Sequence, residues 1–180
     1  MEDQEIATQQ TIPAAEFVED VDAFMKKANN PAPETILKRL EENLNKYRYL
    51  QSNLTQKKRR LKAQIPEIST SLELLQHLQK KSDDTTPMET RFMLSDQVYA
   101  KAEVLPTKTV GVWLGANTMV EYSLEDAQAL LARNLATAQK NLAQVKEDLG
   151  FLRDQCTTTE VNMARVYNWH VSKRRDQQRS

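Results

Sequence analysis

The feature that most constrains this chain is the apolar period of its last third. From Leu131 to Val166 a small or apolar residue returns every three or four positions: Leu131, Leu135, Ala138, Leu142, Val145, Leu149, Leu152, Cys156, Thr159, Met163 and Val166. The steps alternate between four and three, the 3.5-residue period of a coiled-coil seam. A stripe of that length cannot stay in water, so the helix that carries it needs a partner helix.

A second long helix is predicted over Glu34–Lys81, started by Pro33 and with Glu34 in its first turn. Its apolar positions are Ile36, Leu40, Leu44, Tyr47, Leu50, Leu54, Leu61, Ile65, Ile68, Leu72, Leu75 and Leu78. The phase slips between Leu54 and Leu61, where the seam falls on Lys57 or Lys58, and recovers through a four-residue stutter. Pro66 should bend this helix or remove one of its hydrogen bonds. An antiparallel register satisfies both seams: Leu40 faces Val166, Tyr47 faces Thr159, Leu54 faces Leu152, Leu61 faces Val145, Ile68 faces Ala138 and Leu75 faces Leu131. Each helix has roughly 50 residues, which at 1.5 Å per residue makes a hairpin about 75 Å long.

Between the helices, residues 82–123 change character. Ser82–Pro87 is a breaker, followed by short runs rich in Val, Thr, Tyr, Phe and Trp at Thr90–Leu94, Val98–Leu105, Val110–Leu114 and Thr118–Tyr122. Val98, Ala100, Ala102 and Val104 alternate with Tyr99, Lys101 and Glu103, the pattern of a half-buried strand. Ser95-Asp96-Gln97 and Gly115-Ala116-Asn117 have the length of hairpin turns, and Pro106–Thr109 separates the two hairpins. Ser123, with Asp126 three residues on, caps the last helix, which is assigned to residues 124–174 with 175–180 as a tail. Four strands beside two helices cannot cover their own apolar faces. Phe92, Leu94, Val98, Val104, Val110, Val112, Trp113, Leu114, Met119 and Val120 are therefore the candidates for subunit assembly.

Residues 1–33 are polar and interrupted by Pro13, Pro31 and Pro33, which suits a flexible segment. Inside it, Phe17, Val18, Val21, Phe24 and Met25 fall at helical spacing, so residues 16–27 form either a short amphipathic helix that docks on a partner or a transient helix in a loose tail.

Composition excludes several classes of function. Only 6% of residues are aromatic and three are glycine, too little for a thick core and well suited to long helices. The formal net charge is zero, so no global field draws the chain to nucleic acid or to a membrane. The basic run Lys57–Lys62 lacks interleaved aromatics and fits a solvated helix face better than an acidic partner. A single cysteine excludes an internal disulfide and suits a reducing compartment. Met1–Gln10 carries no signal-peptide pattern and no apolar run approaches about 18 residues, so a soluble cytoplasmic protein is expected. Lys173-Arg174-Arg175 also has the form of a minimal basic targeting patch, which would add the nucleus. His77 and His170 lie far apart, Cys156 lies on the seam, and no glycine-rich phosphate loop occurs. No metal, cofactor or enzymatic activity is expected.

Two long helices joined by two β-hairpins is the architecture of the α-type prefoldin subunits, and specific strings carry the likeness further. Phe17–Asp22, Gln56–Lys62, Gln64–Ile68, Met88–Phe92, Trp113–Asn117, Glu125–Leu131 and Thr157–Trp169 resemble the eukaryotic subunit 3 branch of that family over nearly the whole chain. The fold expected is thus mainly α, a long antiparallel two-helix coiled coil with two β-hairpins at one end. The resemblance implies a heterohexamer of two α-type and four β-type prefoldin subunits that works without nucleotide. It further implies that coiled-coil tips hold non-native actin and tubulin and pass them to the cytosolic chaperonin.

A tip that holds many unfolded chains needs apolar, adaptable side chains. Ile36, Leu37, Leu40, Leu44, Met163, Val166, Tyr167 and Trp169 supply them here. Leu40, Leu44, Met163 and Val166 lie on the seam and can equally finish the coiled coil, whereas Leu37, Tyr167 and Trp169 lie off it. The competing non-enzymatic reading is a structural coiled-coil adaptor that binds one defined partner.

Overall fold

The computed structural model describes residues 14–27, 32–82 and 86–179. The elements are α1 (Val21–Lys27), α2 (Pro33–Lys81), β1 (Met88–Ser95), β2 (Val98–Val104), β3 (Thr109–Gly115), β4 (Thr118–Ser123) and α3 (Leu124–Arg179). The molecule is mainly helical, with two long helices and two small antiparallel hairpins, as the periodicity requires. The described residues fall into two compact units, one within residues 14–60 and 142–179 and the other within 61–141.

In the first unit α2 and α3 run antiparallel. Leu44, Tyr47, Leu152 and Cys156 form one buried cluster, against which Leu50, Leu54 and Met163 pack. Ile36 and Val166 lie in a second cluster with Leu40 and Leu37 against it. The expected partners Leu40 and Val166 thus share one cluster, and Leu54 and Leu152 share the other. Arg48 Nη2 reaches Glu160 Oε1 at 2.7 Å on the flank of the same register. Both side chains are more than half exposed, so this pair sets alignment more than stability. Thr159, 1% exposed, hides its hydroxyl by donating to the Gln155 carbonyl at 2.7 Å, which is how a polar residue fits the seam.

The first unit also contains residues 14–27, and here the structure corrects the expectation of a flexible segment. Residues 14–20 run without helix, and α1 begins at Val21 rather than near residue 16. The reason is local. Asp20 is the N-cap, its Oδ1 accepting from the Ala23 N–H at 3.1 Å. The segments 1–13 and 28–31 lie outside the described residues.

In the second unit Leu75, Leu124 and Ala127 are buried together, with Leu78, Val110, Val112, Tyr122 and Leu131 packed on them. Leu75 and Leu131 thus belong to one cluster. α2 continues through Pro66. The proline lacks the N–H that would reach the Lys62 carbonyl, and both residues are exposed, so water can take the freed acceptor. α3 starts on the expected cap: Ser123 Oγ accepts from the Asp126 N–H at 3.1 Å and donates to Asp126 Oδ2 at 2.7 Å.

The hairpins are separate two-stranded sheets, β1 with β2 and β3 with β4. Each turns through two residues, Asp96-Gln97 and Ala116-Asn117. Ala116 and Asn117 both take positive φ, 49° and 59°, the pairing that matches strand twist in a two-residue hairpin loop. Gly115, at φ 89°, stands where the register shifts between Trp113 and Gly115.

At its other end α3 corrects a boundary. The helix reaches Arg179 instead of stopping at residue 174, because Arg175–Arg179 contains no proline or glycine to end it.

Leu152 is completely buried in the seam, whereas Leu74 on α2 is 54% exposed. Leu152→Ala should lower unfolding stability by about 2–5 kcal/mol through lost burial and a residual cavity. Leu74→Ala should stay within about 0.5 kcal/mol. Urea denaturation followed by circular dichroism, at one fixed protein concentration, separates the two.

Candidate functional site

The tip residues expected from the sequence do converge, but they are not open. Ile36 and Val166 are 3% and 0% exposed, and Leu37, Leu40 and Trp169 are half-buried against the same cluster. Leu44 is buried and Met163 half-buried in the neighbouring cluster. Of the eight, Tyr167 alone is exposed. What covers them is the chain itself: Val18, Val21 and Met25 are buried in the Ile36–Val166 cluster and Phe24 packs on it. The segment expected as either a partner-docking or a transient helix packs on its own chain.

The docking rests on a stripe of α3 that the apolar pattern does not mark. Asp148, Gln155, Asn162 and Trp169 recur every seven residues, one position before a seam residue each time. The first three are buried although polar. Asp148 accepts from Gln144 Nε2 at 3.0 Å. Gln155 Oε1 accepts from the Ala15 N–H at 2.6 Å. Asn162 bonds the arm twice, its Oδ1 accepting from the Val18 N–H at 2.9 Å and its Nδ2 donating to the Glu16 carbonyl at 2.7 Å. Arg165, on the adjoining face, donates to the Glu19 carbonyl at 2.6 Å and places its guanidinium 5.2 Å from the centre of the Phe17 ring.

Farther along α3, Lys173 Nζ lies 3.4 Å from Asp22 Oδ1 and 5.8 Å from the Trp169 ring centre. The Trp169 indole N–H is buried with no aligned hydrogen bond, yet it lies beside the Asp22 carboxylate and is the largest influence holding that group below its ordinary pKa. Desolvation opposes this, and Lys173 adds to the lowering. On α2, Glu34 Oε1 sits 3.5 Å from His170 Nε2.

Burial pushes the Cys156 thiol pKa up, with Glu160 adding to the rise and Arg48 opposing it, which keeps the sulfur a protonated core atom. The Tyr47 phenol beside it is likewise raised, first by burial.

The hairpins present a different surface. Phe92, Leu94, Val98, Trp113, Leu114 and Met119 are each more than half exposed. Val104 and Val120 are half-buried. Val110 and Val112 are also half-buried and pack onto the Leu75–Leu124 cluster of their own chain. Sequence reasoning missed Met93, Tyr99 and Leu105, which are as exposed as those it found. In each hairpin the last pair before the register shift sets methionine opposite an aromatic ring, Met93 opposite Tyr99 and Met119 opposite Trp113. Gly111 makes room for this on β3, since a Cβ there would stand 3.0 Å from the Met119 sulfur.

A family model described as prefoldin subunit matches residues 47–169. The chain is also 60% identical over 163 residues to prefoldin subunit 3 of Homo sapiens and of Mus musculus, covering 91% of this chain and 83% of each relative. The chain belongs to the prefoldin family. Prefoldin subunit 3 of Drosophila melanogaster is 52% identical over 163 residues, covering 91% and 82% of the two chains. The fold agrees: a chain of the filamentous prefoldin of Methanocaldococcus jannaschii superposes with a TM-score of 0.53 at 16% identity, over 68% of this chain and 98% of that one. The resemblance to the subunit 3 branch therefore holds across most of this prefoldin subunit.

The lowered Asp22 pKa gives the arm a pH dependence of known sign. Its contribution is complete above the ordinary carboxyl value of 3.8 and is lost as pH falls through the lower docked value. Amide exchange at Val18 should therefore stay constant from about pH 7 to 5 after correction for intrinsic rates, and protection should fall only below about pH 4. Asp22→Asn should remove the acid-side component attributable to this residue.

Proposed function

We propose that this prefoldin subunit is one member of a heterohexamer of two α-type and four β-type subunits that holds non-native proteins without using nucleotide. The observation that carries the reading is the apolar face of the hairpins. Two isolated two-stranded sheets that expose Phe92, Trp113 and Met119 need neighbours of the same kind, because a lone hairpin is marginal in water. Neighbouring subunits supply those strands. Exposed apolar area of this extent otherwise promotes non-specific association.

Assembly then brings several helical tips together around one client, so that weak apolar contacts add through multivalency. Ile36, Leu37, Leu40, Leu44, Met163, Val166, Tyr167 and Trp169 are this subunit's contribution. The clients proposed are non-native actin and tubulin, handed on to the cytosolic chaperonin, and the complex is placed in the cytoplasm with a further nuclear pool. Neither nucleic acid nor membrane is a partner, and no catalytic step belongs to this function.

Native mass spectrometry of the tagged chain, purified gently from its own cells, is the test of assembly. One copy with five other small coiled-coil subunits supports the proposal, whereas a single stoichiometric partner supports the adaptor. Capture tests the activity: removing Leu37, Tyr167 and Trp169 one after another should weaken retention of guanidine-unfolded actin by about 2–10-fold at each step, without added ATP. A complete loss on Trp169→Ala alone, with the hexamer intact, would favour a defined adaptor contact.

A further inference from the structure

The arm from Ala15 to Glu19 is bonded to α3 through four main-chain groups, beside the buried Val18 side chain. Gln155 takes the Ala15 N–H, Asn162 takes the Val18 N–H and the Glu16 carbonyl, and Arg165 takes the Glu19 carbonyl. Every polypeptide carries these groups, so the contacts do not depend on the arm's sequence. The spacing is also general. Ala15 and Val18 are three residues apart while Gln155 and Asn162 are seven apart on α3. Three extended residues advance about 10 Å and seven helical residues about 10.5 Å, so an extended chain stays in step with the stripe. Beside the polar groups lies the apolar slot of Ile36, Leu37, Leu40 and Val166, filled by Val18, Val21 and Met25.

We propose that this stripe and slot form a binding site for an extended polypeptide segment followed by apolar side chains, and that residues 15–25 are its resident occupant. A non-native client takes the same donors and acceptors when it displaces the arm. This rests on the holding function proposed above and gives it a chemical form: main-chain groups grip the client while the slot accepts its apolar side chains. Being tethered, the arm competes at an effective concentration on the order of millimolar, which weakens capture of any single segment and favours clients that engage several tips at once.

The test uses the assembled complex with the full chain. Its probe is a fluorescein-labelled synthetic peptide of the Ala14–Lys27 sequence, read by anisotropy, with retention of guanidine-unfolded actin measured in parallel. Val18→Asp with Met25→Asp loosens the arm without altering the groove, and native mass and helical circular dichroism verify that the complex is intact. The double variant should bind the peptide at least about tenfold more tightly than the unmodified complex and release actin more slowly. Adding Asn162→Ala should cancel both gains. Equal peptide binding by the unmodified complex and the double variant would overturn the proposal and make the arm a fixed strut. A gain in peptide binding with no change in actin retention would also overturn it, while actin capture by the unmodified complex would leave the holding function standing. Failure of the unmodified complex to retain actin at all would instead refute the holding function, and the peptide measurement would still decide whether the groove binds an extended chain.

Discussion

The 3.5-residue seam of α3 is the constraint on which the rest of the molecule depends. A helix of 56 residues carrying one apolar stripe has no stable state alone in water. Its stripe is closed in part by residues that a hydropathy count would overlook: Ala127 and Ala138 let the helices approach, and Thr159 spends its hydroxyl on its own helix. Antiparallel pairing with α2 follows directly, because the segment between the helices carries the hairpins and returns the chain into the Leu75–Leu124 layer. The aliphatic layers supply cohesion. Exposed pairs such as Arg48–Glu160 refine the register that those layers establish.

The flank of the seam carries a second kind of order. Gln155 and Asn162 are buried polar side chains, which would be costly if left unpaired. Each is matched to the backbone of residues 15–18, so the arm is fixed in register by groups that penalise its absence. An apolar flank would leave the Ala15 and Val18 N–H groups and the Glu16 carbonyl without these partners and would fix no register. The polar one selects a single alignment and places Val18, Val21 and Met25 over Ile36 and Val166.

Much of this was legible from local pattern. The seam, the hairpin turns at Asp96-Gln97 and Ala116-Asn117, and the Ser123 cap all announce themselves within a few residues, because the forces that create them act over one or two turns of chain. The covered tip was not legible in the same way. Asn162 is separated from Val18 by 144 positions, and polar side chains on a helix ordinarily face water, so periodicity alone assigns it to the surface. Position alone does not mark Gln155 and Asn162, because the same seven-residue series also runs through Asn134, which is exposed. The packing of Val110 and Val112 on their own helices was hidden for a related reason: alternation along β3 identifies two faces without saying which one the helices occupy.

The two apolar surfaces of the subunit are handled in opposite ways, and the difference follows from what each must contact. On the hairpins, Phe92, Trp113 and Met119 lie open, and edge strands offer directional hydrogen bonds that a matched neighbour can satisfy at once. Such a surface is specific, so leaving it uncovered carries little risk once the neighbour binds. A surface for non-native chains cannot be specific in that sense. If it were left bare it would bind any apolar segment nearby, including the tips of other copies. In this chain residues 15–20 and helix α1 cover it, with main-chain groups bonded along α3 and Val18, Val21 and Met25 in the slot, and on the proposal above a client would use the same contacts. On the proposal made above, a holding site and its own stand-in ligand are encoded in one sequence, and Asn162, which bonds the Val18 N–H and the Glu16 carbonyl, serves both.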